Sequence, residues 1–325
     1  MSLVGSAKPA IRAEQQVRRG SVKKPDIELS ALPGEVVPTT ATTTGIPVPT
    51  RTLRIWNGMM FLFHSALIAV TLGANTNLDL AIKVYKTNLT FVLNTNETND
   101  LGMPRFELVP TYVESGTLPL TWLTAAFFAA SAIAHLGNFT IWRGFYERNL
   151  AMCRVPSRFI EYFVSASIMI LILAYNAGIR EYMLLFCIFF LIATTMPYGY
   201  LTELIAEPET PDTWVRPLSV RLTPYWLGNI PQVAAWAAIL ISFYDQEYPD
   251  GEGGPPSFVY IIIWSQLAFF FSFGFVQLIQ QCRPPKHYYQ GEIMYQVLSL
   301  VAKGVLGSIL IFQVLTLSSF NEIFE

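Results

Sequence analysis

The chain is 325 residues long, 52% hydrophobic and only 14% charged, with a formal net charge of −2. Soluble domains of this length carry about 25% charged residues. Together with a mean hydropathy of +0.40, this excludes an ordinary soluble globular protein.

Residues 1–50 read as a disordered cytoplasmic tail, with basic residues (Lys8, Arg12, Arg18, Arg19, Lys23, Lys24) and a run rich in proline and threonine up to Pro49. The tail has no apolar run, so it is not a cleavable signal peptide. Residues 51–320 read as one domain with seven apolar stretches, at 55–74, 118–142, 159–178, 182–204, 224–244, 257–281 and 293–319. Each supplies the ~20 residues that cross ~30 Å of hydrocarbon. The expected fold is therefore all-α: a seven-transmembrane-helix bundle in a lipid bilayer.

The loop at 75–117 is too long for a mere connection. Its β-rich segments, Thr90–Leu93 and Arg105–Val109, predict a short hairpin capping the outer face. The run Gly251–Pro256 reads as a turn. Cys153, Cys187 and Cys282 lack metal-ligand spacing, so neither a zinc site nor a disulfide framework is expected. There is no GxSxG element, phosphate loop or nucleic-acid module, so neither an enzyme nor a nucleic-acid partner is expected.

Basic residues set the orientation. Sixteen lie on one side, in the tail (with Arg51 and Arg54) and at Arg143, Arg148, Arg154, Arg158, Arg216, Arg221, Arg283 and Lys286. Four lie on the other: Lys83, Lys86, Arg105 and Arg180. The N-terminus is expected in the cytoplasm and the C-terminus outside. Glycosylation sequons at Asn88 and Asn96 fall in the outer loop, while a third at Asn138 lies inside a span. This polarity argues against G-protein-coupled receptors and ordinary microbial proton pumps, which both start outside.

Lys303 is the only charge in Ile293–Ser319. Placed roughly 16 Å deep at 1.5 Å per residue, it is too far from either end to snorkel. A mid-membrane lysine costs ~2.5–3.5 kcal/mol on insertion scales and needs a partner or a task. In a dry pocket such an amine condenses with a carbonyl ligand as a Schiff base. The other ionisable residues counted within the spans are His64, His135, Glu161 and Glu203. Glu203 sits near a span end, within reach of water, whereas Glu161 and Lys303 have matching depths that predict one ion pair. Ser299 and Glu292 share a helix face with Lys303, and Ser131 lies one turn before His135. At helical spacing, Trp226, Phe269 and Phe273 are expected to wall a flat ligand.

The segment Arg158-Phe-Ile-Glu161-Tyr162-Phe-Val-Ser165-Ala-Ser-Ile-Met169 resembles the third helix of the heliorhodopsins, and Ser299-Leu-Val-Ala-Lys303 resembles their seventh. The histidines of the first two spans, the inverted topology and the long first outer loop fit too, so the resemblance covers about 51–320. It implies all-trans retinal bound covalently to Lys303 as a protonated Schiff base, with Glu161 as counterion. His64, His135, Ser131 and Ser299 would form the polar pocket around that linkage, and Tyr162, Ser165 and Met169 would join the retinal-lining set. It also implies a homodimer, a slow photocycle, and a cytoplasmic signalling partner of unknown identity. Two functions stand: a light sensor, and a light-gated proton or ion conductor using Glu292, Glu203 and the histidines as an inner half-path.

Overall fold

The computed structural model describes residues 45–74, 81–98, 102–245, 255 and 257–312. The tail up to residue 44, most of the Gly251–Pro256 turn and the end of the last predicted span (313–319) lie outside the described residues.

Seven helices are long and apolar enough to cross a membrane. They are α1 (Thr50–Ala74), α2 (Leu120–Phe139), α4 (Pro156–Asn176), α5 (Tyr182–Ile205), α7 (Thr223–Tyr244), α8 (Ser257–Cys282) and α9 (Tyr288–Leu310). Short helices α3 (Arg143–Ala151) and α6 (Leu218–Arg221) lie between them. The predicted spans match these in number and order. The second ends earlier than expected, at Phe139, and the last begins five residues earlier, at Tyr288.

The early end of α2 has a local cause. Trp142 folds back over Gly137, where a Cβ would stand 1.8 Å from the indole, and its Nε1 donates to Asn138 Oδ1 at 2.9 Å. Asn138 is 6% exposed, so the third sequon is buried. Pro156 opens α4 at its first turn, where a missing N–H is harmless, and so draws Arg158 into the helix. Glu181 caps α5, its carboxylate accepting from Leu184 N at 2.7 Å.

Helix directions alternate, so the start of α1, the end of α2, all of α3 and the starts of α4 and α9 share one face of the bundle, here the α3 face. The opposite face carries strands β1 (Ala81–Thr98) and β2 (Pro104–Pro119), paired antiparallel. This is the hairpin expected from the sequence, and its strands continue beyond Thr90–Leu93 and Arg105–Val109 because threonines, aromatics and aliphatics favour extended backbone along nearly the whole loop. It docks through Tyr85 N, which donates to Arg180 O at 2.9 Å. Leu89, Phe91, Phe106 and Tyr112 on it are exposed.

The apolar core is lopsided. The half away from the α3 face is filled by Phe127, Phe128, Ile170, Leu173, Ile188, Leu306 and Leu310. Gly307 lets α9 approach there, since a Cβ would meet the fully buried Phe128 ring at 2.2 Å. The half near the α3 face holds the buried charges.

Candidate functional site

Lys303 is 3% exposed, and its Nζ lies 2.5 Å from Glu161 Oε1. Ser131 completes a triangle: its Oγ receives a hydrogen bond from Lys303 and donates to Glu161 Oε1 at 2.6 Å. Three helices, α2, α4 and α9, thus converge on one ion pair. Its burial is compatible with folding only because each charge meets the other and a hydroxyl as well. The Tyr162 ring lies beneath the ammonium, 5.2 Å from Nζ to centroid.

Two histidines stand beside the pair. His64 and His135 stack with centroids 5.7 Å apart and planes 10° from parallel. His135 Nδ1 is 2.9 Å from Asn57 Oδ1. Both nitrogens of His64 and Nε2 of His135 are buried with no hydrogen-bond partner among the described residues. Ser299 is buried one turn before Lys303, but its Oγ likewise has no partner among the described residues and does not bond the lysine.

From Lys303 a mainly apolar pocket opens between α4, α5, α7 and α8. Tyr162, Ser165, Met169 and Phe273 line it. Trp226 and Phe269 do not. Trp226 is 60% exposed on the outer surface, and the wall is made instead by Tyr225 and Phe270. Each expectation was one residue off, and 100° per residue turns such a neighbour away from the cavity.

A second charged cluster lies nearer the α3 face. Arg158 is 4% exposed and pairs with both Glu203 and Glu292, while its guanidinium sits 3.9 Å from the Tyr295 ring centroid. Glu203 is therefore not in water, as expected from its position, but 1% exposed and further held by Val155 N at 2.9 Å. Glu292 points to Arg158 rather than to Lys303. Sequence reading counted Arg158 as a loop charge. The signal that recovers it is Pro156 two residues earlier, which starts the helix before the arginine.

Outside the spans, burial drives the Cys153 thiol well above its ordinary range, with the Glu203 carboxylate adding to the effect. The Tyr146 hydroxyl is pushed up likewise, first by burial and then by Glu292.

A seven-helix bundle with a buried lysine–carboxylate pair at the wall of an internal cavity defines the microbial-rhodopsin class of membrane proteins. Solved structures of that fold are similar. The transmembrane domain of the rhodopsin phosphodiesterase of Salpingoeca rosetta matches with a TM-score of 0.52 and 13% identity, over 80% of this chain and 83% of that one. Cyanorhodopsin from the cyanobacterium Tolypothrix sp. matches with a TM-score of 0.52 and 10% identity, over 85% and 97%. A light-driven proton pump from Leptosphaeria maculans matches with a TM-score of 0.50 and 13% identity, over 82% and 96%. No curated protein matches the chain. The heliorhodopsin family model matches residues 53–315, and the chain belongs to the heliorhodopsin family. It is thus a multi-pass membrane protein of the retinal photoreceptor class.

Proposed function

We propose that this chain is a light sensor in which all-trans retinal is bound covalently at Lys303, with Glu161 as its counterion. One observation carries the reading: Lys303 Nζ, 2.5 Å from Glu161, is at the wall of a pocket lined mainly by apolar and aromatic side chains. The chemistry of the wall fits an elongated apolar ligand with one polar end. Aromatic and methionine side chains (Tyr162, Met169, Phe270, Phe273) supply the apolar surface, and the buried Oγ atoms of Ser165 and Ser299, without partners among the described residues, lie on the same helix faces as its polar end.

Bound retinal supplies light absorption and a shape change on excitation. The chain's own residues do the rest. Glu161 stabilises positive charge on the Lys303 nitrogen, and Ser131 fixes the carboxylate by donating to it. His64 and His135, stacked beside the pair, take up a proton leaving that nitrogen, because imidazole is the side chain that exchanges protons near neutral pH. Tyr162 and Phe273, ring centroids 5.2 Å apart, hold the wall rigid.

Sensing is favoured over conduction by the apolar half of the bundle. Leu306, Leu310, Ile170 and Leu173 are buried there, and an ion path would need polar groups in their place. The basic-residue bias supports a cytoplasmic N-terminus. The exposed apolar side chains of the hairpin support a homodimer. The sensing partner belongs on the cytoplasmic side and is unidentified.

The test is colour. Protein supplied with retinal should show a visible band that survives denaturation as a covalent adduct, and Lys303→Ala should show none. A denaturation-resistant band in Lys303→Ala would overturn the assignment. Voltage clamp under illumination separates the two functions: a sensor passes no photocurrent.

A further inference from the structure

The loop after α5 and the ends of α7 and α8 meet at one corner of the α3 face, and three arginines gather there. Arg221 is 5% exposed. Its Nε donates to Arg216 O at 3.0 Å, and its Nη1 donates to Gln281 O at 2.8 Å and to Gln281 Oε1 at 2.9 Å. The guanidinium lies over the Trp214 ring, 4.5 Å from the centroid, and Trp214 Nε1 donates to Arg283 O at 3.0 Å. The Arg221–Trp214 contact is thus tied to the backbones of Arg216 and Arg283, whose own side chains are exposed.

Every partner of Arg221 is neutral. The other buried cations, Lys303 and Arg158, are paired with carboxylates. Among the described residues Arg221, Arg216 and Arg283 are not. Asp212 of the same loop is taken by Lys286 at 2.5 Å, Glu209 accepts from Thr213 Oγ1 at 3.5 Å, and Arg283 Nη1 donates to the uncharged Gln290 Oε1 at 2.9 Å. Carbonyl oxygens satisfy donors of Arg221 without neutralising it, and a desolvated charge with no counter-charge is costly. Its Nη2 has no hydrogen-bond partner among the described residues and, unlike Arg158 Nε, is not sealed in the interior.

The surroundings indicate which anion fits. The corner lies where α7 enters and α8 leaves the membrane, and Val215, Leu218 and Val220 beside Arg221 are exposed, as is Trp226 just inside α7. A free phosphate has no use for an apolar rim, whereas a phospholipid brings a phosphate and acyl chains together. Guanidinium groups bind phosphate oxygens through paired N–H donors. A choline headgroup would set its own cation against three arginines, so the charge balance favours a lipid with net negative charge.

We propose that Arg221, with Arg216 and Arg283, holds the headgroup phosphate of one anionic phospholipid of the phosphatidylglycerol type, its chains passing Leu218 and Val220. The site is separate from the Lys303 pocket and does not depend on the chromophore.

The test is a lipid titration of retinal-free full-length protein in neutral detergent, with bound lipid counted by native mass spectrometry. One phosphatidylglycerol should bind in preference to phosphatidylcholine. Arg221→Gln should weaken it about tenfold or more, the loss of a hydrogen bond to a charged group. Arg221 also ties its loop to Gln281, so the exposed pair Arg216→Gln with Arg283→Gln decides the matter if Arg221→Gln does not fold. That double variant should weaken binding about tenfold with thermal melting unchanged. Arg51→Gln with Arg148→Gln removes two exposed arginines from the same face and should leave binding unaltered. Equal loss in this control, or none in the Arg216/Arg283 variant, would reduce the effect to diffuse surface attraction and overturn the proposal. Equal binding of the two lipids would overturn it as well. Millimolar inorganic phosphate should not displace the lipid; displacement would make this a free-phosphate site instead.

Discussion

Glu161→Gln removes one negative charge 2.5 Å from Lys303 Nζ and changes almost nothing else in shape. At an effective dielectric of about 20, unit charges at this separation interact by about 6–7 kcal/mol. Ser131 remains as a hydrogen-bond partner and the glutamine carbonyl recovers part of the attraction. The net loss should therefore fall near the ~3–5 kcal/mol typical of a buried charge that loses its partner. At 1.36 kcal/mol per power of ten, the positively charged form of the Lys303 nitrogen becomes disfavoured by roughly two to nearly four powers of ten. The assay is absorption spectroscopy of the retinal-loaded variant from pH 5 to 9, in buffers free of small anions that could occupy the vacated position. At neutral pH the visible band should give way to a near-ultraviolet band, returning as the solution is acidified. Glu161→Asp, which keeps the charge, should stay visible. A Glu161→Gln spectrum that matches the unaltered protein across the range would refute the counterion assignment and the electrostatics behind it.

The pair can also be probed without light. In retinal-free protein, Lys303→Met and Glu161→Gln should each lower thermal stability by about 3–5 kcal/mol, while the double variant recovers most of that; simple additivity would mean the two side chains are not coupled. In the second cluster, Arg158→Met strands two carboxylates and should cost about 3–5 kcal/mol near neutral pH, easing as acid neutralises them. Glu203→Gln leaves one carboxylate per arginine and should cost far less, so equal losses in thermal melts would contradict the paired geometry. The Cys153 thiol is held protonated in the folded chain but ionises near pH 8.5 once unfolded. The unfolded state therefore binds fewer protons above that pH, and this thiol should lower stability by up to about 1.4 kcal/mol per pH unit as alkalinity rises. Maleimide labelling read by mass spectrometry should modify exposed Cys282 and spare Cys153 until the protein is denatured; equal labelling would show that the thiol is not buried.

The parts of this architecture that sequence made legible are those governed by length and depth. Seven spans follow from runs of apolar residues, and the Lys303–Glu161 pair follows from two opposite charges at matching depth. What stayed hidden depends on rotation and on where a helix starts. Trp226 and Phe269 have the right chemistry at the right depth but the wrong phase, and periodicity over a uniformly apolar helix gives no phase to read. Arg158 reads as an aqueous charge because a topology count treats every arginine near a boundary alike. Asn57 gives no signal of its own, since an uncharged amide near the start of a span looks like any boundary residue until His135 comes to rest against it.

The lopsided core has an electrical meaning. A membrane potential falls mainly across the least polarisable layer, and here that layer is the apolar half packed around Phe127, Phe128, Leu306 and Leu310. The polar half, with Glu161, His135 and the Arg158 cluster, is the more polarisable of the two. A full crossing costs about 2.3 kcal/mol per charge at 100 mV, but a proton passing between the Lys303 nitrogen and His135, as the proposed sensor requires, would cover only a small part of that drop. Its transfer should therefore be almost blind to voltage, leaving a receptor that reports light in the same way in a resting and a depolarised membrane.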